Sequence, residues 1–435
     1  WLQGSDGRAD ALRRPPEADP EVLGLRGLAV SAETAFYPRT APLNRKLQWR
    51  EWSGYLAASA YHDSHEIEYN AIREAAALID VSPLYKYLVS GPDSTRLVDR
   101  VITRDAQKLA VGRVYYTSWC DEEGRVVDDG TVARLDERTY RWTAADPSLR
   151  WIRMNARGLD VEIEDVSERL SALAVQGPLS RDVLETTTGT FLGDLKYFGR
   201  RAAHVDRIPV DISRTGYTGD LGYEVWVESR DALEVWDALV RAGAAYGIRP
   251  AGMLALDVTR IEAGLILIEV DFDSARRALI AEQSFSPFEL GILGRFVDFE
   301  KPAEFVGRRA LEREQERGGP PRRLVGLELD WDALEGLYRA KGLMPALDPA
   351  ASREPLPLYA RGRQVGKATS TTWSPILKKV IALASVRADY SAPGTSIESE
   401  WTVEARRHRV PATVVELPFF NPARKTSTVA ASPSA

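Results

Sequence analysis

Apolar residues at Ile67, Ala71, Ile72, Ala75 and Leu78 recur at helical spacing with charges between them, which predicts a helix over 63–78. Asp80-Val-Ser-Pro ends it, because Pro83 disfavours helical geometry at Ser82. Lys86–Ser90 alternates as a strand, and Ser94–Arg100 is helical. Tyr115–Cys120 and Arg125–Leu135 are the two arms of a hairpin joined by Asp121-Glu-Glu-Gly. The same grammar then repeats. Leu173–Val175 is a buried strand, Gln176-Gly-Pro-Leu-Ser introduces a helix through Leu184, and Val210–Arg214 and Tyr223–Val227 are strands around a glycine-rich turn. Helices are predicted over Ala232–Tyr246, over much of Arg249–Gly264 and over Gly307–Gln315. Beyond the linker Gly318–Arg323, short strands at Leu324–Leu329, Gln364–Ala368, Val380–Val386 and Val410–Val415 predict a small all-β barrel or sandwich.

A chain of 435 residues exceeds one ordinary core, so two or three packed domains are expected. With 44% hydrophobic and 28% charged residues it reads as a globular protein. A net charge of -6 gives no overall attraction to nucleic acid or anionic lipid. No apolar run is long enough to span a bilayer, and the start lacks the apolar segment of a secretory signal, so a cytoplasmic location is expected. One cysteine, Cys120, excludes a disulfide within the chain, and four scattered histidines make no zinc motif. His62 and His65, three apart in the predicted helix, read as a polar surface pair rather than half a metal site. The basic run Arg308–Arg323 reads as a solvated helix face plus linker rather than an anion site.

Three segments carry candidate chemistry. In Gly124-Arg-Val-Val-Asp-Asp-Gly, two adjacent carboxylates lie in a strand, so Asp128 and Asp129 point to opposite sides and only one can face a given pocket. The plain alternative is a hairpin edge where both reach water. In Arg214-Thr-Gly-Tyr-Thr-Gly-Asp-Leu-Gly-Tyr-Glu, three glycines allow a flat ligand to approach the backbone, and Glu224 falls in an apolar strand. An unpaired carboxylate there is costly; a ligand with two neighbouring N–H donors satisfies it as a fork, and so does a nearby arginine. Near the end of the helix within 249–264, Arg260 is expected to pair with Asp257.

These segments, in this order, resemble the glycine-cleavage T-protein (aminomethyltransferase) superfamily. The resemblance runs through Asp80-Val-Ser, Asp128-Asp129, Gln176-Gly-Pro, Arg214–Gly219, Pro287-Phe-Glu-Leu-Gly, Phe305-Val-Gly-Arg-Arg-Ala-Leu, Ser374-Pro-Ile-Leu and Leu417-Pro-Phe. It implies an α+β, three-domain ring with a C-terminal β-barrel and a central hole that binds tetrahydrofolate. The division it implies is an extension at 1–38, a central folate domain at 39–84 and 166–268, a second α+β domain at 85–165 and 269–318, the barrel at 319–422 and a tail at 423–435. It also implies roles: Asp129 as the carboxylate near folate N5, Glu224 as the acid gripping the pterin, Tyr116 and Tyr217 as pocket aromatics, and Tyr197-Phe198 as a pair packed on the folate.

The chain departs from the family pattern in places that concern the one-carbon donor. Pro83 stands where the family has histidine after Asp-Val-Ser, Leu256 where T-proteins have the arginine of Ala-Arg-Asp, and Ala144 where an asparagine is expected. A stretch at 331–352 is extra. The expected activity is therefore transfer of a methyl or other one-carbon group from a small O-, N- or S-methylated donor to tetrahydrofolate N5, with Tyr115, Tyr116 or Tyr217 as candidate acid for the leaving group. The alternatives are the aminomethyl reaction itself, with a lipoylated carrier protein as partner, and a non-catalytic folate-binding maturation factor, whose Lys-Gly-Cys motif is absent here. Trp119, Trp142 and Trp373 are candidate walls of a donor site or buried structural residues.

Overall fold

The computed structural model describes residues 31–430. Three β-rich units surround one large cavity. The first is a six-stranded sheet ordered Arg200–Val205, Ile208–Ser213, Gly222–Glu228, Leu170–Gln176, Ala77–Asp80, Arg249–Pro250, antiparallel except for its last pair. Along Gly222–Glu228 the alternation is clean: Tyr223, Val225 and Val227 enter the core, leaving Glu224 and Trp226 on the cavity face. The second is a five-stranded antiparallel sheet ordered Val114–Cys120, Val126–Arg134, Thr139–Ala144, Tyr85–Ser90, Glu162–Asp165. The third is a closed six-stranded antiparallel barrel spanning Arg322 to Val415.

Several expected elements shift. The helix predicted over 63–78 runs only from Glu66 to Glu74, and Ala77–Asp80 is a strand. The run Ala76 to Ile79 is buried throughout, in an interior strand paired on both edges. That continuous burial, rather than the helical period, decides its state. His62 and His65 precede the helix: His62 lies against Glu68 and His65 against the carbonyl of Pro349. The linker reading of 318–323 ends early, since Arg322 and Arg323 open the first barrel strand.

The barrel gains two strands that periodicity missed, Leu356–Ala360, which contains Pro357, and Ser396–Val403. The extra stretch contains the helix Trp331–Arg339, capped by Asp330 and anchored in the barrel core through Leu334 and Tyr338. Of the expected extension, residues 1–30 lie outside the described ones. Further on, Thr34 donates to Asp80 at 2.6 Å and Phe36 is fully buried against Trp236.

Two sequence motifs explain each other. Gln176 inserts its amide beside Gly216 and Gly222, where an added Cβ would lie 2.2 Å from its oxygen in either case. Its amide nitrogen donates to the carbonyls of Thr215 and Tyr223, and its oxygen accepts from Thr218. The Gln-Gly-Pro and Arg-Thr-Gly-Tyr-Thr-Gly motifs are thus two halves of one packed joint.

The buried Arg214 guanidinium continues that joint into the C-terminal tail. It donates to the carbonyls of Leu195, Arg424, Lys425 and Ser427, while Arg424 pairs with the buried Asp220 at 2.6 Å. Arg214→Ala is expected to cost about 2 kcal/mol, since it strips a charged donor from four carbonyls. Urea denaturation measures that loss, and tryptic cleavage after Lys425 is expected to accelerate as the tail loosens.

Candidate functional site

The cavity measures about 1600 Å³ and takes walls from both sheets, the barrel and the tail. Asp129 and Glu224 both line it, each placed by the two-residue repeat of its strand. Asp128 is fully buried and Asp129 lines the cavity, so the reading of 128–129 as a hairpin edge where both reach water fails. Asp128 is fully buried on the far face, accepting the backbone N–H groups of Asp129 and Asp146 at 2.8 and 2.9 Å. Asp129 faces the cavity. Directly across the ladder from it lies Ser118, and from two residues along that strand Tyr116 donates its O–H to Asp129 at 2.7 Å. Burial pushes the Asp129 carboxyl up to about 6, with the Tyr116 hydrogen bond opposing. Burial and the neighbouring Asp129 charge push Asp128 well above the usual carboxylate range. Next door, Gly130 packs its backbone where a Cβ would lie 2.0 Å from the Thr143 carbonyl.

Glu224 accepts one hydrogen bond at 2.8 Å from Thr215 Oγ1. Among the described residues no cation lies within ion-pairing distance of it, so the expected alternative of a pairing arginine is not met. Burial raises its carboxyl, moderated by the Thr215 hydrogen bond and, at longer range, by the Arg141 charge. A half-buried carboxylate on a cavity wall, with no cation paired to it, suits a ligand that offers N–H donors.

The remaining sequence-predicted residues, Tyr116, Tyr197, Phe198 and Tyr217, also line this cavity. Tyr197 and Phe198 rings sit 4.5 Å apart. Phe198 holds a positive φ of 59°, rare for a bulky side chain, fixed by backbone bonds to Arg214 and Val114. Of the three candidate acids, Tyr115 is not on the cavity wall; its ring lies under the Arg104 guanidinium at 3.6 Å. Tyr217 donates its O–H to the Ile266 carbonyl and Tyr116 to Asp129, so both hydroxyl protons are already engaged.

Of the two readings of the tryptophans, the structural one holds, since none of the three lines the cavity. Trp119 and Trp142 are fully buried and pack edge to face at 5.1 Å inside the five-stranded unit, while Trp373 packs on Trp331. The cavity tryptophans are instead Trp52 and Trp226. Trp226 was findable, two residues beyond Glu224 on the same strand face. Lys425 was not: the tail carries it to within 5.7 Å of the Tyr197 ring, where burial and the nearby Arg73 lower its pKa.

Arg260 is fully buried, 3.4 Å from Asp257 as the spacing suggested, yet its shorter bond, 2.5 Å, goes to Asp271. Leu256 lines the cavity without a charge, but beside it Asp257 collects Arg50 and Arg353 from distant parts of the chain. Ala144 also lines the wall. Among the described residues no cluster of three or more His, Cys, Asp or Glu is placed to hold a metal ion, and no helix is long and apolar enough to cross a membrane.

The architecture defines a class: three β-rich units closed around a cavity whose half-buried carboxylates and aromatic walls suit a flat, N–H-bearing ligand. Residues 34–301 match the family model described as GCVT N-terminal domain, and residues 322–421 match the glycine cleavage T-protein C-terminal barrel domain. The chain belongs to the glycine-cleavage T-protein family.

Among its relatives is a trimethylamine-oxide aldolase of Ruegeria pomeroyi, 35% identical over 95% of this chain; the chain spans about half, 49%, of that protein. Aminomethyltransferases of Symbiobacterium thermophilum and Geobacillus thermodenitrificans are 38% and 35% identical, covering 81% and 82% of this chain and 88% and 90% of their own lengths. The glycine cleavage system aminomethyltransferase T of Bartonella henselae has the same fold, with a TM-score of 0.76 at 21% identity over 92% of this chain and 100% of that one.

Proposed function

We propose that the cavity binds tetrahydrofolate and passes to its N5 a methyl or other one-carbon group from a small methylated donor, an N-methylated compound foremost. The observation that carries this reading is that Asp129 and Glu224, on strands of two different sheets, face one aromatic-walled cavity. Glu224 would accept the N–H groups of the pterin edge, and Tyr197, Phe198 and Tyr217 would enclose its ring. When bound, the reduced folate would supply N5 as the nucleophile, and the proton leaving N5 would pass through the site to the departing donor heteroatom, so that the demethylated donor leaves protonated. Asp129, held by Tyr116, is the acceptor for that proton. The enclosing walls exclude water and fix the approach of the reacting atoms.

An N-methylated donor is favoured by two points: the likeness to a protein named trimethylamine-oxide aldolase, and the absence of the family arginine at Leu256. Incubation with tetrahydrofolate and a panel of methylated amines, N-oxides, sulfonium compounds and ethers tests it. Appearance of 5-methyl-tetrahydrofolate or another one-carbon folate is expected with at least one. If none turns over while an aminomethylated lipoyl carrier does, the aminomethyltransferase reading, supported by the names of the other relatives, replaces it. Because Asp129 must be ionised to take a proton, kcat/KM is expected to fall about tenfold per pH unit below about 6. A profile flat from pH 5 to 8 would exclude Asp129 as the acceptor.

A further inference from the structure

Asp257 sits on the cavity wall, 4% exposed, in the helix Met253–Glu262. Its Oδ2 accepts Arg353 Nε at 2.9 Å and Nη2 at 2.6 Å, and Arg50 Nη1 at 3.3 Å. Its Oδ1 lies 3.4 Å from Arg260 Nε, whose shorter partner is Asp271. Three guanidinium groups thus meet two carboxylates, leaving one positive charge in excess. The excess sits at the cavity, because Arg50 and Arg353 both line it with side chains 25% and 36% exposed, while Arg260 is fully buried.

A guanidinium carries five N–H donors. Among the described residues Arg50 spends one of these on a protein side chain and Arg353 two, both on Asp257. Glu51, next to Arg50 and also on the wall, accepts the Gly54 backbone N–H rather than pairing with Arg50. Burial, and then the like charge of Arg353, lower the pKa of Arg50, as befits a place short of negative charge. Leu256 and Met253 flank the pair with apolar surface, which strengthens any ion pair made there.

We infer that Arg50 and Arg353 form a carboxylate-binding subsite, taking the anionic end of a ligand enclosed by the cavity. Planar forks of this kind match a carboxylate through paired N–H···O bonds. The subsite deepens the proposed function and rests on it. Two ligands of that reading can carry the carboxylate: the glutamate tail of the folate, or a methylated amino acid serving as donor.

Calorimetry on the full chain with two matched pairs separates these sources: tetrahydrofolate against tetrahydropteroate, which lacks the glutamate, and N,N-dimethylglycine against trimethylamine. In at least one pair the carboxylate-bearing member is expected to bind tenfold or more tighter. In the Arg50→Gln/Arg353→Gln double variant that advantage falls below threefold, while the carboxylate-free member keeps its affinity. Loss in the first pair assigns the subsite to the folate tail, and loss in the second to the donor. Arg353→Lys, which keeps the charge but not the fork, is expected to retain an intermediate advantage. No carboxylate preference in the wild type, or a preference unchanged in the folded double variant, overturns the inference. If the double variant does not fold, Arg50→Gln alone leaves Asp257 its shorter bonds; an unchanged preference there also overturns it. Failure of the wild type to bind either folate sinks the folate reading instead, and the amine pair still reads the subsite.

Discussion

Asp129→Asn is expected to lower turnover by roughly 100- to 10,000-fold while raising the melting temperature by about 1–3 °C. The two effects share one cause. Asn keeps the size of Asp and an oxygen for the Tyr116 O–H, but it cannot accept a proton, so the general-base contribution is lost. The native wall also holds Asp129 in surroundings that push its pKa up to about 6, against 3.8 as the unperturbed value. A carboxyl with a raised native pKa favours the fold fully only when protonated, below its unfolded pKa. That favour is lost as pH rises through about 6.

At pH 7.5 the wild type therefore bears a desolvation cost, and Asn relieves about 1–3 kcal/mol of it. In a chain of this size that amount moves the melt by about the range stated. The advantage of the variant is expected to shrink as pH falls toward 4. Paired thermal melts at pH 7.5 and pH 4.5, with single-turnover assays, check both halves. A variant that melts lower at pH 7.5, or that turns over like wild type, contradicts the role assigned to Asp129. Reduced-folate affinity should stay within about threefold of wild type, because Asp129 is assigned to the transferring step rather than the grip.

Glu224→Gln is expected to show the converse, a loss of folate binding rather than of chemistry. Glu224 presents a carboxylate from an interior strand, with the Thr215 hydroxyl satisfying one oxygen. Gln keeps one acceptor and places an NH2 where a second acceptor is needed, opposing an N–H of the ligand. Replacing a charge-assisted hydrogen bond and adding a donor–donor clash costs roughly 2–3 kcal/mol, about 30- to 150-fold in Kd. Titration calorimetry with tetrahydrofolate measures this directly. At saturating folate, single-turnover rates should recover to within about fivefold of wild type, which separates grip from chemistry. Equal affinity in the variant and wild type would remove Glu224 from the pterin site, and with it the orientation that brings N5 to Asp129.

The two variants also test how the cavity is assembled. Asp129 belongs to the five-stranded sheet and Glu224 to the six-stranded one, so a ligand touching both couples the two units. Binding is then expected to stabilise the wild type, by RT ln(1 + [L]/Kd), more than it stabilises Glu224→Gln at the same folate concentration.

Much of the site was legible in the chain because local pattern encodes which face a side chain takes. The alternation in Gly222–Glu228 sends Glu224 and Trp226 one way and Tyr223 and Val225 the other, whatever the rest of the protein does. The same repeat separates Asp128 from Asp129. Motif order did the rest, and the joint of Gln176 with Gly216 and Gly222 shows why the two motifs occur together. Local pattern failed where burial on both faces erased the period. The apolar run before Asp80 continued the helical spacing of 63–78 and was absorbed into a helix, although it is an interior strand. For Trp119 and Trp142 it left both readings open, because an aromatic residue in a strand suits a core as well as a ligand wall; the structure places them in the core.

Local pattern was enough for most of the helices and strands, for the opposite facing of Asp128 and Asp129, and for the family to which the motifs point. Packing alone brings Arg50, Asp257 and Arg353 together, carries Lys425 on the tail to the Tyr197 ring, and leaves Glu224 with no arginine beside it among the described residues. The reason is physical. Periodicity fixes the direction of a side chain relative to its neighbours in the chain, within a few residues. The meeting of groups hundreds of positions apart depends on how whole sheets, barrel and tail pack, and no local repeat carries that information.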